Sequence, residues 1–351
     1  FLWSMFGQKP HALDSLNLLP ASTALATFTD LDAPMLWSVI QNQVAESGFP
    51  QAEEMLKKLP EGFEQATGLA WDRVLASFGG EFGFAITLDD TKMTTIPWLG
   101  EGDPLQIPEP AILLVAKVKD DTIFNRIEQA LLQNAGQQIV KVDKPGLKMR
   151  TWPLPVPLPI QLRPTVAAAD GYLFISTTDV LIQEVIAVKA GQHAGLKSTQ
   201  EFQRLAKDVP VQGNSFSFVS QRFGQTIGKV QDQALQMRPN ATDSSTAWLK
   251  SFIGSGKPNA NYIVAANTAE GWLAVANGNQ HPARLLAVSA AVPVGILSAI
   301  AIPNFVKARG TSQQNACINN LRQIEGAKQQ WALDKKMADT DTPTRADLKA
   351  Y

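Results

Sequence analysis

Cysteine and histidine are nearly missing from this chain: Cys317 alone, and His11, His193 and His281 among 351 residues. One thiol closes no internal disulfide, and no cysteine-based zinc site can be assembled from these residues. The three histidines are scattered and read as surface or loop residues. Charge of one sign is missing too, since 31 Lys and Arg stand against 32 Asp and Glu. No global field therefore draws the chain to nucleic acid. Catalytic signatures are absent as well: there is no G-x-S-x-G, H-E-x-x-H, G-x-x-x-x-G-K-[ST] or G-x-G-x-x-G. No cofactor, no metal and no enzymatic activity are expected. What is present is 45% hydrophobic content, enough for a large core.

From about residue 21 to 279 the sequence alternates strand-like and helix-like runs. Residues 24–29 read as a strand, followed by a helix that Asp32 caps, with Pro34 just inside its first turn. The same grammar recurs at strand 112–118, where Asp120-Asp121 stops the strand and Ile123, Ile127, Ala130 and Leu131 follow at helical spacing. It recurs after residues 172–176, with Thr178 as cap and Val180, Ile182, Val185 and Ile186 in the helix. A fourth copy starts at Ser215, weakened by Gly224 and Gly228. Strands 166–169 and 172–176 join through Asp170-Gly171, and strands 262–266 and 272–276 through Glu270-Gly271, steps that supply the positive φ of a tight hairpin turn. Together these predict an α+β domain: a mostly antiparallel sheet with helices on one face.

Prolines 153, 155, 157, 159 and 164 break the pattern and exclude a central strand over residues 151–164. Two readings stand: a docking strip for an aromatic-lined groove, and a rigid surface crossover whose Leu154, Val156, Leu158 and Ile160 share the inner side. Gly79-Gly80 before Glu81 reads as a turn into a strand. Asp89-Asp90 and Asp120-Asp121 end strands, so capping or turn duty explains them better than a cation site. Residues 338–344 alternate oxygen donors, but lack the glycine and distal glutamate of a calcium loop.

One long apolar run exists. Residues 285–306 hold 22 residues without an ionisable side chain, about 33 Å as a helix and long enough to span a bilayer. Pro293 and Gly295 interrupt it in a way membrane helices tolerate. Beyond it Ile318, Leu321, Ile324, Ala327 and Trp331 recur at threes and fours as one apolar stripe. Thr342 before Pro343 reads as a further helix start, with Asp347 nearby. The step Ala301-Ile302-Pro303-Asn304-Phe305, the basic Lys307-Ala308-Arg309 and the helix after them resemble the stem of type IV pilin-like proteins and type II secretion pseudopilins. That resemblance implies helix-to-helix assembly through Ile302, Pro303, Phe305, Ile318, Leu321, Ile324 and Trp331. It stops at residues 280–286, QHPARLL, where the Gly-Phe processing junction is missing and Leu286 replaces the family's glutamate. Residues 16–32, 71–90 and 110–121 resemble, more loosely, an uncharacterised bacterial family that follows an N-terminal membrane anchor, which implies an envelope location.

The expected organisation is therefore residues 1–6 as the end of a signal anchor, or a hydrophobic terminus packed on the domain; an α+β domain over 7–280; a transmembrane helix at 285–306; and a pilin-like amphipathic helix with the start of a further region at 307–351. Expected partners are the lipid bilayer and pilin-type or secretion-system subunits, and not nucleic acid. Cys317 is either a small helix-face residue or half of a disulfide with a cysteine outside these residues. The functional expectation is a bacterial membrane protein whose large domain faces the periplasm or exterior, an accessory or interaction component of a pilus or type II secretion-like system. The alternative is a periplasmic ligand-binding or scaffold domain for which the helix is only an anchor.

Overall fold

A computed structural model of the chain describes residues 2–96, 104–135, 138–154, 162–237, 260–279, 318, 321–337, 341–344 and 347–350. The chain divides into two compact units, 1–286 and 287–351. In the first, β1 (His11–Ala12) and β2 (Thr23–Asp30) precede three helices, α1 (Ala33–Glu46), α2 (Pro50–Thr67) and α3 (Trp71–Ser77). The long strands β3 (Phe78–Ile96) and β4 (Leu105–Val118) lead to α4 (Thr122–Ala135). Hairpin strands β5 (Val140–Lys144), β6 (Leu147–Thr151), β7 (Thr165–Ala169) and β8 (Tyr172–Ser176) precede α5 (Asp179–Lys189) and α6 (Gln200–Leu205). The unit continues with β9 (Gln212–Gly213), β10 (Ser215–Val219), α7 (Gln221–Met237), β11 (Asn261–Thr268) and β12 (Gly271–Gly278).

Ten strands make one antiparallel sheet in the order β12-β11-β10-β2-β3-β4-β8-β7-β6-β5, and β1 pairs with β9 apart from it. Register explains the core. Val264, Phe216, Phe28, Gly83, Val115, Phe174, Ala167 and Met149 lie opposite one another in a row across eight strands. Side chains in such a row share one face. The 3-10 turn Asp14–Leu18, α5 and α6 cover that face through Leu16, Leu18, Leu181, Ile182, Phe202 and Leu205. Phe202 meets the Tyr262 ring at 4.9 Å, and Phe28 stacks on Phe216 at 5.1 Å.

The opposite face carries a second core, which corrects the expected one-sided arrangement of helices. Phe124, Ile127 and Leu131 of α4 pack on Val166, Ala168 and Leu173, the positions that alternate with Ala167, Ala169 and Phe174. All five residues of β7 are consequently buried. Uninterrupted small uncharged residues, not alternation, are the mark of a strand covered on both sides.

The expected membrane helix and pilin-like rod are also corrected. Among the described residues no helix is long and apolar enough to cross a membrane. The physical reason is charge: α2, 18 residues long, carries Glu53, Glu54, Lys57 and Lys58, and the helix at 321–335 carries Arg322, Glu325, Lys328, Asp334 and Lys335. Residues 285–306 lie outside the described residues, as do Ile302, Pro303, Phe305 and Cys317.

Residues Leu2–Phe6 form a 3-10 turn held to the first unit: Met5 O accepts from Asp32 N, and Phe6 O and Gly7 O accept from Asn267 Nδ2. Asn214 Nδ2 adds donations to Lys9 O and Asp30 Oδ2. An added Cβ at Gly7, where φ is +95°, would collide with Asn214 and Asp30, so this close approach needs glycine.

β3 is bulged near both ends. Three of its residues, Gly79 to Glu81, face one of β4, and Asp90 to Lys92 intrude between the pairs Asp89–Glu109 and Met93–Pro108. The expected Gly79-Gly80 turn is therefore the first bulge. It turns Glu81 inward, where Ser15 Oγ donates to its Oε1 at 2.6 Å. Burial, with nearby Asp30, pushes the Glu81 pKa above its ordinary value. Below the unfolded pKa both states are protonated and folding bears no ionisation penalty. As pH rises through the folded value, that stability is lost. Glu81→Gln keeps an acceptor for Ser15 and removes the penalty. Thermal melts should show the variant more stable than wild type at neutral pH and the two converging below about pH 4.5.

Candidate functional site

A cleft of about 650 Å³ opens at one end of the sheet, bounded by residues 20–22, the second β3 bulge, the facing part of β4, the end of β8, and the first turns of α5 and α7. Local sequence builds each wall. Pro108 and Pro110 have no amide to donate, so the β3–β4 ladder is weakest opposite the bulge. Asp89 Oδ1 accepts from both Thr91 N and Thr91 Oγ1, which closes the bulge on itself. Burial works to raise the Asp89 pKa, and the Thr91 hydrogen bonds overcome it, leaving the group below its ordinary value.

The wall formed by α5 starts at Thr178, whose Oγ1 accepts from Val180 N. Asp179 then takes a two-pronged contact from Arg163, Nε to Oδ1 at 2.8 Å and Nη2 to Oδ2 at 3.0 Å. That guanidinium holds the Asp179 carboxyl below its usual range. On the other wall Arg222 Nη1 donates to Leu88 O and lies 2.9 Å from Asp90 Oδ2, tying α7 to the bulge. Ile112 N donates to Thr177 Oγ1 and Thr177 N to Ile112 O, so the floor is hydrogen bonded in both directions. The charged walls are thus braced before any ligand arrives. Glu109 has no ion-pair partner among the described residues.

A second depression, about 470 Å³, lies between the α2–α3 turn and α4 and is lined by Thr67, Arg73, Thr122, Asn125, Arg126 and Gln129. Arg126 Nε donates to Thr67 O, and Arg73 Nη2 reaches Thr122 Oγ1. Among the described residues no group of three or more His, Cys, Asp or Glu could hold a metal ion.

The expected assembly residues divide. Ile318, Leu321 and Ile324 are 47%, 64% and 47% exposed, while Trp331, on the same stripe, is buried at 5%. Cys317, Ile302, Pro303 and Phe305 are outside the described residues. Asp120 Oδ1 accepts from Thr122 N, the turn work expected of it, whereas the Asp121 carboxylate pairs with Lys148 on β6. His11 pairs with Asp30 and His193 with Glu184, and His281 is outside the described residues. The expected cap at Thr342 moves two residues on: Thr344 and Asp347 exchange hydrogen bonds before the 3-10 turn Asp347–Ala350. The proline-rich segment 151–164 is no crossover, because its ends pair, Trp152 N to Pro164 O and Leu154 N to Leu162 O, as the extension of the β6–β7 hairpin. Its Val156, Leu158 and Ile160 lie outside the described residues.

The cleft itself has no signature in the sequence, since its walls come from positions 20 to 222 and carry no local motif. Val180, expected in an apolar helix stripe, is 56% exposed at its edge. No protein-family model, curated protein or solved structure matches the chain.

Proposed function

We propose that the first unit is a ligand-binding or scaffold domain without chemistry of its own, and that the braced cleft at the sheet end is its site. The observation that carries this is the pair of anchored arginines, Arg163 on Asp179 and Arg222 on Asp90, which fix opposite walls around the threonine hydroxyls and Glu109, a carboxylate with no ion-pair partner among the described residues. A polar ligand offering both donors and acceptors, such as a short peptide, fits such a lining. Titration of the full chain with a panel of short peptides, followed by NMR of the Thr87, Thr91 and Thr177 amides, tests it. Glu109→Arg is expected to weaken a basic peptide at least tenfold, roughly 1.4 kcal/mol. Binding that ignores this substitution places the ligand elsewhere and rejects the cleft.

A second reading, an interaction component docking through its C-terminal helix, rests on the exposed Ile318, Leu321 and Ile324. A photocrosslinker at Leu321 tests it better than one at buried Trp331. Protein adducts that disappear with Ile324→Glu support it, and adducts unaffected by that change reject it.

A further inference from the structure

The two edges of the ten-stranded sheet are unlike. The β5 edge carries Lys141, Asp143 and Lys144 within five residues, the kind of charge that keeps an edge from pairing with another chain. The β12 edge, Gly-Trp-Leu-Ala-Val-Ala-Asn-Gly, carries none over eight residues. It leaves Trp272 and Leu273 49% and 53% exposed.

Which β12 amides face outward follows from the ladder. Asn279 N donates to Ala260 O, in line with the register that pairs Asn261 with Gly278 and Thr268 with Gly271. Hydrogen-bonded and non-bonded pairs alternate in an antiparallel ladder. Residues 271, 273, 275 and 277 therefore point their amides at β11, and Trp272, Ala274, Ala276 and Gly278 point theirs away from the sheet. Among the described residues nothing pairs with that outer row.

We infer that β12 is a homodimerisation strand, pairing antiparallel with β12 of a second copy across a two-fold axis perpendicular to the sheet. Such an axis keeps each face continuous, so opposed residues must share a face and hence a parity. Several registers satisfy this with the outward amides bonded, and two of them keep the longest overlap, seven of the eight residues. One centres on Ala274 and sets Trp272 against Ala276; the other centres on Val275 and sets Trp272 against Gly278. In both, the largest side chain meets a small one. In both, no like charges face each other, because the strand carries no charge.

Ala274→Pro tests this without touching the β11 ladder, because the amide removed is an outward one. Ala276→Lys keeps the amide and puts a charge on the edge. Sedimentation equilibrium of the full chain is expected to give twice 38.0 kDa for wild type and the single mass for both variants. Far-ultraviolet circular dichroism should stay unchanged in both. In wild type the amides of 272, 274, 276 and 278 should exchange about tenfold or more slower than in Ala276→Lys, with the inward amides alike in the two. A wild-type monomer up to its solubility limit overturns the inference. So does a dimer that survives both substitutions, or outer-row protection that appears only when a different protein is added. Should Ala274→Pro fail to fold, Ala276→Lys alone decides.

Discussion

Gly83→Ala is expected to lower stability by about 3 kcal/mol, the upper part of the usual range for overpacking a core. Gly83 stands directly opposite Phe28 in the β2–β3 register, and an added Cβ would fall within the Phe28 ring. The ring cannot yield cheaply. It is 1% exposed and stacked on Phe216 with an interplanar angle of 13°. Moving it breaks that stack and opens a void in the row that runs across eight strands, where packing has the density of a crystal. Urea unfolding should show a lower midpoint at unchanged slope. Adding Phe28→Leu to Gly83→Ala should cost less than Phe28→Leu alone predicts, a coupling of the sign contact residues show. Independent additivity would mean that the glycine serves some other purpose.

Arg150→Met should be nearly as costly, again about 3 kcal/mol, the lower end for removing one partner of a buried ion pair. Arg150 is 5% exposed on the α4 side of the sheet. Its Nε donates to Glu128 Oε1 at 2.6 Å, Nη1 and Nη2 grip Asp143 at 2.7 and 3.2 Å, and its guanidinium carbon lies 5.6 Å from the Phe124 ring centre. Methionine restores the apolar bulk and removes the cation that Glu128 of α4 faces. The loss should shrink with acid. Hydrogen bonding from Arg150 holds the Asp143 pKa below its ordinary value, so the stability it carries is present above the unfolded pKa and is lost as pH falls through the folded one. A wild-type-minus-variant difference that stays constant from pH 7 to about pH 3 would sink this account.

Local chemistry is legible in the sequence and long-range arrangement is not. Asp32 caps α1 through Met35 N, Thr178 caps α5, and the Asp170-Gly171 turn has φ of 51° and 78°; each depends on residues a few positions apart. The Pro145-Gly146 turn of the β5–β6 hairpin carries the same kind of signal, with Gly146 at φ 76°. Placing helices on one face fails because helical periodicity says that a stripe is buried, not against which side. The uncharged Thr-Val-Ala-Ala-Ala of β7 is the available sign of double cover. Gly79-Gly80 and Asp89-Asp90 mark where β3 is interrupted but not that the strand resumes beyond, and the cleft has no compositional signature, since both arise from how distant strands fall into register.

The strand order has a consequence for the nascent chain. β2 ends at Asp30, yet its neighbour β10 begins at Ser215, 185 residues later (215 − 30). At about 5–20 residues per second, that interval is roughly ten to forty seconds of synthesis. Through it one side of β2, with Leu25, Ala26 and Phe28, has no strand to receive it. Pairings this remote in sequence also slow refolding from denaturant. Ribosome-bound chains arrested before Ser215 should recruit holding chaperones, and chains arrested well past Gly278 should let them go.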